Sequence, residues 1–418
     1  MTSVWADPSI LPEKPGQRRE ALHVVLVAYA IDPTRGSEPG NAWQWLRGLA
    51  GRVQRVTLVT TPESASALRQ ASVELLPSNA AVIDVPARTE ALMRPFPQWY
   101  RRYAGWLDCA AEALGDIDGD VAQHVTVGSP FWGSSLHTFT GPRVLGPVGI
   151  SHAPPVGLLP RFGIGDMAEE MVRGQLGQHP ARWRRGLAGV RGASRVLAAD
   201  PRTAAMAESV GVSWTRELLE GVRSVRPDDR DVPGPTYVWA GKMVRRKAPL
   251  LAVQAWQRAA PPKGASLVML GDGPERRAVE LAVSQSGLSD SIHVLGKVSP
   301  TEVSRHLEES RALLFTSLRD TSSSQMLEAM AVGTPVVSLR HAGVGGLDLW
   351  YPRELGWARS AASWRGSVAA LAEAIRASIH SPDSSWTRRS RASRSVAQTH
   401  LWSRKVDRAI GVYRELLT

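Results

Sequence analysis

Short apolar runs alternate with helix-length segments along most of the chain. The first run, residues 23–28, is too short for a helix and almost continuously apolar, which reads as a parallel strand buried on both faces. Further strand patterns lie at 56–59, 81–84, 121–127, 143–145 and 195–198, with helix patterns at 42–50, 63–72 and 98–114. A polar loop over 32–40 separates the first strand from the first helix. The alternation breaks at 223–235, a stretch of Pro, Gly and charge that reads as a linker. It then restarts more cleanly, with strands at 237–240, 266–270, 292–295, 312–316 and 335–339 and helices at 249–260, 275–286 and 301–309. Three helical stretches follow, at 365–378, 384–399 and 402–417. Such alternation predicts βαβ units and parallel sheets. The expectation is an α/β protein of two doubly wound halves facing a cleft: a loose arm over 1–20, an amino domain over 21–222, a linker over 223–235 and a carboxyl domain over 236–400, followed by a helix within 401–418.

Composition narrows the class. Charged residues at 21% and apolar residues at 43% are ordinary for a globular protein, and 418 residues suffice for two domains. The net charge of +11 favours anionic partners such as a nucleotide, an anionic lipid surface or a nucleic acid, although an Arg-rich surface accounts for it equally well. A single cysteine, Cys109, excludes an internal disulfide and a Cys-based zinc site. Residues 1–20 lack an apolar signal core, and the run over 24–31 is far short of the roughly 20 residues that span a bilayer. A cytoplasmic location is expected. The basic, aromatic stretch 94–106, with residues 182–185, would suit peripheral contact with the anionic inner face of a membrane. The competing and favoured reading puts those aromatics in the core or along an acceptor groove. The chain has no nucleic-acid module, Walker A loop or G-x-S-x-G elbow, and no convincing metal-ligand spacing.

Four stretches carry candidate chemistry. Asp320 follows an apolar strand and Glu328 sits within an apolar helix, with Thr321, Ser322 and Ser323 where that helix begins. Ligands of open α/β sheets sit outside the carboxyl ends of strands, and a helix start offers free N–H groups to anions. Residues 241–247 place Lys242, Arg245, Arg246 and Lys247 directly after a strand, where cations suit a departing diphosphate. Gly271 and Gly273 follow another strand and permit close backbone approach. In the amino half, Gly36, Ser37 and Glu38 occupy the loop after the first strand, without the G-x-G-x-x-G spacing of a dinucleotide site. His124 lies in an apolar run, where a lone histidine is more often a core residue than a catalyst.

Taken together, Gly241-Lys242 with Lys247, the Leu270-to-Pro274 turn, residues 292–296 and the acid-x7-acid stretch Asp320–Glu328 resemble, in order, the large retaining GT-B glycosyltransferase family of sucrose synthases and bacterial mannosyltransferases. Residues 35–40 with Trp43, and 145–149, resemble a bacterial branch of it. The resemblance implies two Rossmann-like domains, with the last helix crossing back to the amino domain. It implies a nucleoside-diphosphate sugar as donor, UDP or GDP being the first choices, a hydroxyl-bearing acceptor, and neither metal nor cofactor. Lys242 and Lys247 match the cations that hold the diphosphate, Asp320 the acid at the transferred sugar, Glu328 the acid at the ribose, Gly36 and Ser37 the phosphate and acceptor loop, and His124 a histidine near the reacting sugar. The implied chemistry is transfer with retention, without a dedicated nucleophile. This sequence departs from the pattern at Asp320, commonly Glu; at Ser322 and Ser323, commonly an aromatic residue and Gly; and at Lys242, commonly Arg. Those departures keep two alternatives open, a non-catalytic GT-B partner or regulatory protein and, less favoured, a sugar-nucleotide epimerase.

Overall fold

The computed structural model describes residues 19–35, 37–70, 76–88, 98–150, 154–158, 180–227, 231–320, 322–341, 344 and 355–418. They divide into two compact units, one drawn from 1–150, 175–223 and 402–418, the other from 151–174 and 224–401.

The first unit opens with β1 (Glu20–Val27), α1 (Ser37–Ala50), β2 (Val53–Thr60), α2 (Pro62–Gln70), β3 (Ala80–Asp84) and α3 (Gln98–Leu114). It continues through β4 (Val121–His124), β5 (Arg143–Val148), α4 (Pro180–Arg191), β6 (Arg195–Ala198), α5 (Pro201–Glu208) and β7 (Trp214–Arg216). The strands form one sheet in the order β3-β2-β1-β4-β5-β6-β7, with every recorded pairing parallel. Val24 to Val27 of the central β1 are fully buried, which explains why the first run carries no polar alternation. Helix α1 starts at Ser37 rather than at 42 as the polarity of the loop suggested. Glu38 suits the positive end of the helix dipole, and Pro39 is tolerated in a first turn because its missing N–H would have no partner there. The aromatics of α3 separate by face: Tyr103 and Trp106 are buried, whereas Trp99 is half-exposed.

The second unit runs β8 (Thr236–Ala240), α6 (Pro249–Ala259), β9 (Ser266–Leu270), α7 (Arg276–Gln285), β10 (Ile292–Gly296), α8 (Pro300–Glu308) and β11 (Ala312–Phe315). It ends with α9 (Ser324–Ala331), β12 (Val336–Arg340), β13 (Trp357–Ser360), α10 (Trp364–Ile379) and α11 (Asp383–Thr399). Its sheet order is β10-β9-β8-β11-β12-β13. Each sheet is thus wound outward in both directions from its first strand, the Rossmann arrangement. Leu158 belongs to the same hydrophobic core of this second unit as Trp239, Leu251 and Trp256. Two units, each with its own doubly wound parallel sheet, agree with the expected α/β class.

After α11 the chain returns to the first unit as α12 (Trp402–Leu417). Gly48 of α1 lets α12 approach, since a Cβ there would lie 2.5 Å from Val406. The Trp45 and Trp402 rings meet edge to face at 5.8 Å. Between these helices lies Lys405, with no exposed surface, its Nζ donating to Glu217 Oε1 at 2.7 Å and to the Leu218 carbonyl at 2.5 Å. Arg408 adds a second charged contact to Glu217 at 2.8 Å. Burial alone would raise the pKa of Glu217, but Lys405 and Arg408 together hold it below its ordinary value. No described helix is long and apolar enough to cross a membrane.

Removing one member of a buried ion pair strands the other, at about 3–5 kcal/mol. Glu217→Gln should cost that much in urea unfolding followed by tryptophan fluorescence. Glu415→Gln, which breaks the solvent-exposed pair to Arg195, should cost less than about 1 kcal/mol. A depressed carboxyl pKa contributes stability above the unfolded value that is lost as pH falls through the folded one. The gap between wild type and Glu217→Gln should therefore narrow below about pH 4.

Candidate functional site

In the second unit the strand order reverses between β8 and β11, so connections leaving their carboxyl ends run to opposite faces and open a crevice at the sheet edge. The loop after β8 carries Lys242 to Lys247, and the loop after β11 carries Asp320. The loop after β9 lies alongside the first. Met243 N donates to the Asp272 carbonyl and Glu275 N to the Met243 carbonyl, both at 2.9 Å. This contact needs glycine. Gly271 has φ +127°, and a Cβ on it would lie 1.8 Å from the Gly241 carbonyl oxygen; Gly273 has φ +156°, and its Cβ would lie 2.5 Å from that of Met243. The loop after β11 locks on from the other side: Leu318 N donates to the Arg246 carbonyl at 2.7 Å, and Thr316 Oγ1 to that of Lys247 at 2.7 Å.

These bonds fix Lys247, whose Nζ donates to Asp320 Oδ2 at 2.5 Å and to Gln325 Oε1 at 3.4 Å. Lys242 is exposed on the same loop. Arg245 pairs with Glu275 at 3.5 Å. Helix α9 begins immediately beyond Asp320. Helices α5, α8 and α10 start with a side-chain cap, from Asp200, Ser299 and Ser363, whereas α6, α7 and α11 do not. Ser323 occupies the corresponding place in α9 with the extended backbone of a cap, yet its side chain does not cap. Its Oγ is buried and takes no hydrogen bond. An uncapped helix start next to a lysine is an anion site in waiting: its leading N–H groups have no intrahelical acceptors, and the dipole is positive there. Ser322 is buried beside it. Glu328, half-buried one turn further along α9, lies on the same face as Ser324. Thr321 lies outside the described residues.

The first unit repeats the design at its own reversal, between β1 and β4. Ser37, with φ +59°, and Glu38 open α1 after β1. Glu38 Oε1 accepts from Gly128 N, in the segment after β4, at 2.7 Å, which ties the two sides of the reversal together. The dense protein around its carboxyl raises the pKa of Glu38, opposed by the Gly128 bond; water still reaches the residue and moderates the effect. His124 ends β4. Burial lowers its pKa to about 4, so it is a neutral imidazole at neutral pH. Its Nε2 meets Tyr103 Oη and its Nδ1 meets Ser134 Oγ, each at 3.3 Å. Gly36 lies outside the described residues.

Asp320, Lys247, Ser322, Ser323, Gly271 and Gly273 are therefore gathered at one sheet edge of the second unit, and Ser37, Glu38 and His124 at one edge of the first. Gln325 is a member of the second-unit group that the sequence reading passed over, because a glutamine in a first helical turn carries no pattern of its own. Among the described residues, no three His, Cys, Asp or Glu side chains are placed to share a metal ion.

Residues 234–380 match the family model described as glycosyl transferases group 1. The 2-deoxystreptamine glucosyltransferase of Streptomyces kanamyceticus is 32% identical over 115 residues, 27% of this chain and 29% of that protein. The 2-deoxystreptamine N-acetyl-D-glucosaminyltransferase of Streptomyces fradiae is 30% identical over 135 residues, 31% of this chain and 30% of that protein. The chain thus spans about a third of the length of these curated relatives. Among solved structures, Anabaena Alr3699/HepE in complex with UDP superposes with a TM-score of 0.62 at 12% identity, over 94% of this chain and 100% of that one. The matched segment contains β8 to β12, the two glycine loops and the Asp320–Glu328 stretch. The likeness to glycosyl transferases group 1 is thus carried by residues 234–380, and the likeness in fold extends over most of the chain.

Proposed function

We propose that the protein transfers a sugar from a nucleoside-diphosphate sugar to a hydroxyl-bearing acceptor, with retention at the anomeric carbon. The observation that carries this reading is the pairing of Lys247 with an uncapped, positively polarised helix start at the reversal of a Rossmann sheet. That combination suits a diphosphate. The relatives whose names specify sugar transfer, and the UDP in the HepE structure, support the same donor class. Both relatives named above act, by their names, on 2-deoxystreptamine, so aminocyclitols are the first acceptors to try; lipid-linked and polymeric saccharides are the next.

In the reaction, the bond between the anomeric carbon and the β-phosphate oxygen breaks, and the acceptor oxygen bonds that carbon. The acceptor proton passes to the leaving phosphate. Charge builds on the phosphate as it departs, and Lys247, Lys242 and the α9 start would stabilise it. Side chains and a helix dipole then take the part that a metal plays in other transferases. Asp320 would accept hydrogen bonds from hydroxyls of the transferred sugar, and Glu328 from those of the ribose. Ser37 and Glu38 would border the acceptor. With both phosphate and acceptor held in place, no protein nucleophile is required.

A thermal-shift panel of UDP, GDP, ADP and TDP should show a clear rise in melting temperature with one of them, UDP or GDP first. No rise with any of the four, or with their sugars, would sink the donor assignment. Glu328→Ala should weaken nucleotide binding by about tenfold or more, since a half-buried carboxylate accepting hydrogen bonds from hydroxyls contributes roughly 1.5–3 kcal/mol. Asp320→Ala should mainly lower the transfer rate, so equal and negligible effects of the two would refute these roles. Transfer should also persist after exhaustive treatment with EDTA; loss that Mg²⁺ or Mn²⁺ restores would assign the charge stabilisation to a metal instead.

A further inference from the structure

Lys247 is already engaged by two acceptors within its own unit. Its ammonium is held by Asp320 at 2.5 Å and by Gln325 at 3.4 Å, and the Lys247 and Asp320 side chains are only 12% and 15% exposed. An ion pair this sheltered is weakly screened and keeps more of its attraction than a surface pair. The position of the pair is set by backbone, because bonds from Leu318 and Thr316 clamp residues 246 and 247 to the segment that leads to Asp320. Gln325 sits in the first turn of α9, with its Nε2 packed over Gly241, where an added Cβ would lie 2.8 Å away. Its amide therefore touches both ends of the 241–247 loop.

We infer that Asp320 and the diphosphate of the donor compete for Lys247, with Gln325 as the positioning residue that keeps the ammonium within reach of both. This rests on the donor site proposed above. A diphosphate, the stronger anion, draws Lys247 away from Asp320. The same event frees the Asp320 carboxylate to accept hydrogen bonds from the sugar hydroxyls. Donor binding and the readiness of Asp320 are thereby one step. The nucleotide product, which has no sugar to satisfy Asp320, loses Lys247 back to it, which favours release.

The test is a double-mutant cycle in nucleotide affinity, measured by calorimetry on the intact protein with whichever diphosphate binds best. Asp320→Asn should tighten binding about three- to tenfold, the loss of a competing partner worth up to about 1.4 kcal/mol. Removing a carboxylate near an anion would also help by simple repulsion, so the decisive variant is Asp320→Asn in a Lys247→Met background. There the gain should vanish, because the contest is gone. Gln325→Glu, which adds a second carboxylate at Lys247, should weaken binding, while Gln325→Leu should weaken it only when Lys247 is present; both should keep the wild-type melting temperature. If Asp320→Asn fails to tighten binding, or tightens it equally without Lys247, the competition is refuted although the donor site stands. If the wild type binds no nucleotide, the donor reading itself falls.

Discussion

Everything in the candidate donor region follows from one topological constraint. A parallel sheet wound outward in both directions must leave a gap at the carboxyl ends of the two strands where the winding reverses. In the second unit those strands are β8 and β11, and the chain fills the gap with three loops rather than one. Three loops fit only if some of their backbones touch. Gly241 and Gly271 touch so closely that no side chain can stand between them. The glycines therefore shape the site, and the lysine and the acids occupy what they shape. Arginine at 245 and glutamate at 275 continue the same contact outward into solvent.

Two lysine–carboxylate pairs show how burial and partner number separate structure from chemistry. Lys405 and Glu217 are sealed from water, and Glu217 is held from two sides while Lys405 also binds a carbonyl. Such a pair has nothing left to offer a ligand, and its role is to place α12. Lys247 and Asp320 form the same kind of contact at the rim of the sheet, where water and solutes reach them. The contact is short, but neither partner is saturated, and the helix start beside it is uncapped. His124 lies nearer the structural extreme, a neutral ring with protein at both nitrogens.

The alternation of apolar runs made the parallel sheets legible, since strands buried on both faces need long apolar runs whatever surrounds them. It also placed Asp320, Lys247, Gly271 and Gly273 at strand ends, because the residue just past such a run must lie at the sheet edge. Elements with little burial were not visible. Strand β7, whose residues Trp214 and Arg216 face solvent, has no apolar run to announce it. Helix α4 carries Arg at 182, 184, 185 and 191, so its pattern resembles a basic surface stretch. The failure of Ser323 to cap and the reach of Gln325 to Lys247 depend on side-chain geometry between segments about 80 residues apart, which no local pattern encodes. The aromatic stretch over 94–106, of which 94–97 lie outside the described residues, was legible only as two options, and the burial of Tyr103 and Trp106 accords with the core option for those two rings.

The return of the chain to the first unit has a consequence for biosynthesis. The amino unit emerges early from the ribosome, but one wall of its core, with Trp402, Val406, Ile410 and Tyr413, is encoded after the whole second unit. Until α12 arrives, Trp45 and the pocket for Lys405 stand open. A nascent chain must carry this unfinished surface through the synthesis of the second unit, at rates of roughly 5–20 residues per second. The unit that starts first is thus closed last.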